Sequence, residues 1–593
     1  MSTINAPRWN LATIYPSFDS AEYKNDIETL KERVAILLKT LEESIPFSAS
    51  ELLAIIKSFD SVTEIAINLR TYAHATYTTD TRNARALTEI NTIESARLPL
   101  GKAMVMFRKM IAEKKEEVLK LIDSDTSLKD YGFFLTETIE RANFQMSTEL
   151  EDLANDLLRS GGDAWERLHS AISSTVQGIW DKGSGETKTV VALRDLAHDS
   201  DRNIREKAYN AELSAWKTVE IPLAASLNGV KGTAITLDVR RGWKTKAGEY
   251  AALQKSAFQS RISEKTLHAL ISSIEASLPI FRRYLKIKAH LLGIPVCAFY
   301  DIFAPVENNI EKKWTWEESC NFIEQQFSLF DSGMGTFARH AFEFSWLDAE
   351  IREGKIGGAY CTGFPLKGEA RILCNFDGSF DAVSTVAHEL GHAWHHEMLK
   401  DTPISLSQYP MTLAETASIF AQTLVFEGAL KNASSTERLS LIEKDLKSSC
   451  QVIVDILSRF YFEKAVFERR STSELSPKEF CDLMLDAQKK TYGDALDPAL
   501  LHQYMWAAKS HYYRPALGFY NYPYAFGLLF SLGLYAKSPS AESYRTLLKL
   551  TGRTTAEKVA SSAGFDIENE CFWQDGLSII AKKVEELSIL AGL

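Results

Sequence analysis

A chain of 593 residues is longer than one hydrophobic core usually serves, so several folding units are expected. With 45% hydrophobic and 24% charged residues, the composition is that of an ordinary globular protein, not of a disordered or membrane-embedded one. The net charge of −11, from 67 basic and 78 acidic side chains, argues against a nucleic-acid binder, which would show a basic excess.

In chain order, a polar entry with Trp9 and Pro16 leads to Ile27, Leu30, Val34, Leu37, Leu38, Leu41 and Ile45 at helical spacing, with Pro46 as the stop. Helical patterning continues through Ser50–Tyr77, then Thr81–Ile122 with a kink or break expected at Pro99, then Leu135–Leu158. The run Asp181-Lys182-Gly183-Ser184-Gly185-Glu186 predicts a hairpin or linker. It places a boundary near residue 185, between an N-terminal helical domain (1–185) and a catalytic domain (186–593). Helical patterns resume over Arg194–Leu227, Glu264–Leu292, Trp314–Phe330 and Thr336–Leu347. Gly354–Tyr360 and Ala370–Phe376 then read as two short strands, and Asp377-Gly378 as a turn. A helix is expected from Phe380 to Leu399, and the remainder is almost wholly helical. The fold class is mostly α, with one small sheet directly before the Phe380–Leu399 helix.

That helix carries His388-Glu389-Leu390-Gly391-His392. At about 3.6 residues per turn, His388 and His392 project from one face and can reach a single metal ion. Glu389 lies about 100° round the axis, where a general base for a metal-activated water belongs. A catalytic zinc usually takes three protein ligands, so a third is required. The x-x-Gly-x-x-His extension is excluded, because His395 stands where Gly is needed and Met398 where His is needed. Glu415, opening a helical run after Pro410, is the candidate third ligand. Its other reading is a capping box with Thr412.

Nearby side chains have bland alternatives. His395 could face the cleft or be hydrogen-bonded elsewhere. Asp381 suits a helix N-terminus or a partner behind a ligand. Cys361 and Cys374 could approach the metal or be small buried hydrophobes. The other cysteines are Cys297, Cys320, Cys450, Cys481 and Cys571; no CxxC pair occurs, which predicts reduced thiols and a cytoplasmic protein. Met1–Asn10 has no signal-peptide core, and the apolar run Ala525–Ala536 is too short to span a bilayer. Downstream, His511–Tyr524 crowds five tyrosines and a histidine into a stretch broken by Gly518, Pro515 and Pro523. It reads either as a packing surface or as a loop offering hydrogen-bond donors to a developing oxyanion.

Together these residues resemble oligoendopeptidase F, of the thimet oligopeptidase family of zinc peptidases. The resemblance is carried by His388–His392, Gly357-Gly358-Ala359-Tyr360, Glu415-Thr416-Ala417-Ser418 and the His511–Gly527 stretch. Arg8–Leu11, Tyr15–Phe18, Gly564–Ile567 and Phe572-Trp573 extend it over nearly the whole chain. It implies a two-lobed helical metallopeptidase with a deep channel that admits short peptides. One Zn2+ per chain would be held by His388, His392 and Glu415, with Glu389 as base. Gly357, Gly358, Ala359 and Tyr360 would bind the peptide backbone, and His511, Tyr520 and Tyr522 would assist catalysis. The implied activity is cleavage of internal bonds in short peptides, with no nucleic-acid or membrane partner and a monomer or homo-oligomer as the state. A zinc carboxypeptidase or dipeptidyl carboxypeptidase, and a silent peptide-binding protein, are the alternatives.

Overall fold

A computed structural model describes residues 6–43, 48–243, 251–306 and 312–593, without the side chain of Thr148. The chain forms two compact units, each built from three separate segments. The fold is mostly helical, as expected, with a two-stranded and a three-stranded sheet among the described residues.

The first unit comprises Met1–Asn143, Glu311–Lys431 and Ser538–Phe565. It opens on helices Ala21–Glu42, Ala49–Thr79 and Ala84–Glu113. Each starts where a polar side chain accepts a backbone N–H that the helix leaves unpaired: Ser20, Ser48 in a capping box with Glu51, and Asn83. Ile45 and Pro46, read as the end of the first helix, lie outside the described residues. The third helix continues past Pro99 to Glu113, so the chain does not break at the proline. Ile93, Ala103, Phe107 and Ile111, all fully buried on either side, outweigh a cost of about 3 kcal/mol for an interior proline. The helix expected over Leu135–Leu158 is in fact two, Gly132–Ala142 and Thr148–Ser160.

These helices share their cores with segments on either side of the motif. Phe364 joins the cluster of Leu30, Val62, Leu69 and Ile93, and Leu406 joins that of Leu52, Ile56 and Phe107. The strands are β3 (Leu347–Asp348), β4 (Tyr360–Phe364) and β5 (Glu369–Leu373), in the order β3-β5-β4. β4 pairs antiparallel with β5, from Tyr360 opposite Leu373 to Phe364 opposite Glu369, and is an edge strand. The strand expected over Gly354–Tyr360 is corrected here: Gly354 and Gly358 have φ of 85° and 80°, which an extended strand does not allow, and pairing begins only at Tyr360. The glycine run is a loop, tied to the second helix by Ile356 N–H to Thr78 O (3.0 Å) and by the Tyr360 and Thr78 hydroxyls (2.6 Å).

The second unit comprises Phe144–Ile310, Asn432–Lys537 and Asp566–Leu593. β1 (Gln177–Asp181) and β2 (Glu186–Thr189) form the expected hairpin, so the boundary read near residue 185 falls inside this unit. Long helices Arg202–Arg240 and Glu264–Leu291 pack with Ile456–Arg470, Pro477–Tyr492, Tyr522–Lys537 and Glu570–Leu590. Trp216, Trp506 and Trp573 are among its largest fully buried side chains. Among the described residues, no helix is long and apolar enough to cross a membrane.

One contact in the first unit controls how its helices meet. A Cβ on Gly391 of the Phe380–Leu399 helix would lie 2.5 Å from Ala417 O and 2.6 Å from the Ser418 Cα. Both atoms are backbone, so neither can rotate aside. Gly391→Ala is expected to cost about 1–3 kcal/mol in denaturant unfolding, the range for overpacking. Gly357→Ala, where nothing lies within 4 Å, should stay within about 0.5 kcal/mol of the parent.

Candidate metal centre

The helix bearing the motif spans Phe380–Leu399, as the periodicity predicts. Its start is set by a small relay: Asp377 accepts from Ser379 N–H (2.9 Å), and the Ser379 hydroxyl accepts from Ala382 N–H (3.1 Å). Gly378, at φ 79°, turns the chain into it. Val383, Val386, Ala387, Leu390 and Ala393 are buried and anchor one face. His388 and His392 emerge on the other, one turn apart, with ring centroids 4.9 Å from each other.

Glu415 arrives from the facing segment. A short turn, Met411–Ala414, is capped by Pro410, and Glu415 is the residue between it and the Thr416–Asn432 helix. Thr412 lies inside that turn, where Pro410 holds the N-cap position. Because Gly391 lets the two backbones touch, the Glu415 carboxylate comes within 3.3 Å of His388 Nε2 and 3.4 Å of His392 Nε2. One ligand atom from each of the three lies within 4.8 Å of the others, and no other group of three or more His, Cys, Asp or Glu among the described residues meets that condition. Ser418 donates to the same Glu415 oxygen (2.8 Å). His388 Nδ1 faces Gln422 Oε1 at 3.1 Å. With that proton given to Gln422, Nε2 presents its lone pair inward.

Electrostatics follow from burial and proximity. Burial alone would lift the Glu415 pKa, but hydrogen bonds to His388 and His392 hold it well below the usual carboxylate range. Burial disfavours a charged His388, yet Glu415 and Glu389 outweigh this and raise its pKa. Glu389 is 6% exposed, and its Oε2 has no hydrogen-bond partner among the described residues. Burial raises its pKa, an effect only partly offset by His388 and His392. The result is a buried carboxylate kept basic beside two imidazoles, as proton transfer requires.

The neighbouring candidates resolve into structural roles. His395 is fully buried, shares a hydrogen with Thr551 Oγ1 (2.8 Å) and stacks on Tyr409 at 4.2 Å; burial pushes its pKa down to about 3. His396 packs against Gly363 of β4, and burial lowers its pKa to about 4. Asp381 sits in the first turn of the helix. Cys361 and Cys374 are free thiols outside the ligand triad. Burial pushes both pKa values up, that of Cys374 to about 12, so they are neutral. Gln422 went unnoticed in the sequence, although it lies seven residues after Glu415 and so on the same helix face. Tyr409 was missed too; burial, Cys361 and Glu415 raise its pKa.

His511, Tyr520 and Tyr522 belong to the second unit. His511 lies in the single turn Ser510–Tyr513, and burial followed by Arg459 and Lys509 lowers its pKa to about 3. The stretch is irregular up to Asn521, but a helix begins at Tyr522, so the expected loop is shorter than fourteen residues. Tyr512, Tyr513 and Tyr522 are buried; the Tyr522 hydroxyl donates to Ser260 Oγ (3.0 Å). Tyr520 is half-buried, and its hydroxyl accepts from Tyr524 (3.2 Å).

Comparison with known proteins places the chain in a family. The family model for Peptidase family M3 matches residues 195–579, and that for Oligopeptidase F matches residues 110–177. The Oligoendopeptidase F homolog of Lactococcus lactis subsp. lactis (strain IL1403) is 24% identical over 98% of this chain and 97% of its own. Oligopeptidase PepF of Bacillus subtilis (strain 168) is 23% identical over 98% of this chain and 87% of its own. Among solved structures, a Chlamydophila abortus chain superposes with a TM-score of 0.83 at 20% identity, covering 98% of both chains. The oligoendopeptidase-F of Enterococcus faecium does so with a TM-score of 0.68 at 18% identity, over 96% of this chain and 98% of that one. With the model of the family covering residues 195–579 and relatives matching end to end, the chain belongs to peptidase family M3, and it is a peptidase.

Proposed function

We propose that this chain is a zinc-dependent oligoendopeptidase that hydrolyses internal bonds of short peptides. The observation that carries the reading is the buried Glu389 carboxylate, whose Oε2 has no hydrogen-bond partner among the described residues, beside the convergent His388, His392 and Glu415. A protein that only bound peptide would have no use for a base there.

The residues present suit a zinc ion. Two imidazole nitrogens and one carboxylate oxygen are a donor set of catalytic zinc sites, which keep a fourth position open. Gln422 behind His388 and Ser418 beside Glu415 supply the outer partners such ligands usually have. When bound, zinc would polarise the scissile carbonyl and bring the pKa of a water down towards about 7. Glu389 accepts the proton from the attacking water and returns it to the leaving nitrogen. Its low exposure excludes competing bulk water and keeps it basic.

The peptide backbone would lie along β4, whose outer edge has no strand partner among the described residues, in the order β3-β5-β4. Tyr360 begins that edge; Gly357, Gly358 and Ala359 form the loop leading into it. Gly358, at positive φ, bends this loop so that a backbone can approach without meeting side chains. Of the second unit's candidates, Tyr520 and the neutral imidazole of His511 are the donors suited to an oxyanion, whereas Tyr522 already bonds Ser260. The seven free cysteines favour the cytoplasm as the place of action.

Glu389→Gln should retain zinc while losing about three or more decades of kcat; near-normal turnover in a zinc-replete variant would remove Glu389 from the mechanism. Glu415→Ala should lose the metal itself, read directly as zinc content. Gln422→Ala should weaken zinc binding about 10- to 100-fold, measured by competition with a chelator, with little change in fold stability. Peptides blocked at both ends should still be cut internally, with mass-mapped products abolished by chelation. A strict need for a free C-terminal carboxylate would assign a carboxypeptidase instead.

A further inference from the structure

The backbone on either side of Tyr520 is held in an unusual way. Phe519 has φ 54°, a left-handed conformation that is an outlier for a bulky aromatic residue. Such strain persists only where the surroundings over-determine it. Here the surroundings are specific. The Phe519 N–H donates to Glu463 Oε2 at 3.1 Å, while Glu463 Oε1 receives Lys231 Nζ at 2.5 Å. The two charged side chains are 3% and 1% exposed. The Phe519 ring packs between Phe460 and Phe467, with centroids 5.3 and 5.5 Å away, and Lys231 Nζ sits 4.7 Å from the centre of the Phe467 ring.

The residue on the other side of Tyr520 is tethered as well. Arg459 donates to Asn521 Oδ1 at 3.3 Å and is itself paired with Asp455. Arg459 and Glu463 are four residues apart on the Ile456–Arg470 helix and therefore share a face. Asp455 closes the π-helical turn Gln451–Asp455, an irregularity concentrated at functional sites. One helix face thus grips the chain immediately before and after Tyr520.

Buried ion pairs contribute little net stability, because desolvation offsets the attraction. A charge pair whose second carboxylate oxygen goes to a strained backbone N–H is better explained by placement of the intervening residue. We propose that Glu463 and Lys231, with Arg459 as a second tether, are positioning residues that fix the Tyr520 phenol for the peptidase reaction. The inference rests on the reading of Tyr520 as a donor to the substrate.

Two double variants of the zinc-loaded full chain separate placement from stability. Lys231→Met/Glu463→Gln removes both charges but keeps an amide oxygen for the Phe519 N–H. Lys231→Met/Glu463→Leu removes both charges and the acceptor. Displacing a reacting group by about 1 Å can cost up to a hundredfold, so the Leu pair is expected to lose about ten- to a hundredfold in kcat. Its KM should move less than about twofold, because the lost interaction belongs to the transition state. The Gln pair should stay within about threefold of wild type, and in a Tyr520→Phe background the Leu pair should add less than about twofold, the non-additivity of residues acting as a unit. Equal losses for the Gln and Leu pairs, or a loss undiminished in the Tyr520→Phe background, would overturn the proposal. Wild-type kcat for the Leu pair with an impaired Tyr520→Phe overturns the positioning role alone. Wild-type kcat for Tyr520→Phe overturns the donor reading and the positioning role together. If the Leu pair does not fold, Asn521→Ala cuts the Arg459 tether without disturbing the ion pair and carries the same expectations.

Discussion

The candidate centre depends on a place where two helices touch with no side chain between them. His388 and His392 are one turn apart on their own helix, and helical geometry alone brings their rings together. The third ligand has no such local guarantee. Glu415 reaches them only because Ala417 and Ser418 press on the backbone at Gly391, at distances a Cβ could not tolerate. The residue inside the His-Glu-x-x-His spacing is therefore doing two jobs. It leaves the ligand face undisturbed, and it sets the separation at which a carboxylate from the next segment falls between two imidazoles.

From that contact the electrostatics follow. Glu415 faces two imidazoles, so its charged form is favoured despite burial. Glu389, 100° round the helix, faces the thiols of Cys361 and Cys374, which stay neutral at ordinary pH. Two carboxylates on neighbouring elements are thereby given opposite tendencies. One is pinned as an anion fit to be a ligand; the other is raised towards the range in which it can take up and release a proton. Protonated, these two thiols bring no charge to Glu389.

What could be read in the sequence was whatever local chemistry determines. The motif helix was legible at both ends, since Ser379 caps it and its apolar period is unbroken. The pairing of Glu415 with the histidines was legible from the demand for a third ligand, even though distance along the chain says nothing about it. Other features depended on tertiary context. The Gly354–Tyr360 stretch looked like a strand because Ile356 and Tyr360 favour one, but left-handed Gly354 and Gly358 bend it into a loop. Pro99 looked like a break, yet the buried side chains around it hold the helix together. Tyr522 could not be told from Tyr520 by residue type; one is anchored to Ser260 in the interior and the other keeps a half-exposed ring. The tethers at Glu463 and Arg459 join positions 56 and 62 residues apart, beyond the reach of any periodicity.

A comparison within the second unit shows why one buried charge pair is read as a placement device and another is not. Glu443 and Lys288 are as thoroughly buried as Glu463 and Lys231. In that pair a single carboxylate oxygen accepts from Lys288 (2.6 Å) and from the Tyr284 hydroxyl (2.9 Å). Both donors lie one turn apart on the Glu264–Leu291 helix, so the interaction binds one regular helix to another and constrains no irregular backbone. Glu463 instead divides its two oxygens between a lysine and a peptide N–H in a strained loop. The lysine keeps the carboxylate charged and oriented in the interior, and a charged acceptor makes the stronger hydrogen bond to the backbone. Loss of the ion pair's charge should matter less than loss of the acceptor, because the acceptor is what holds Phe519 in a conformation it would otherwise leave.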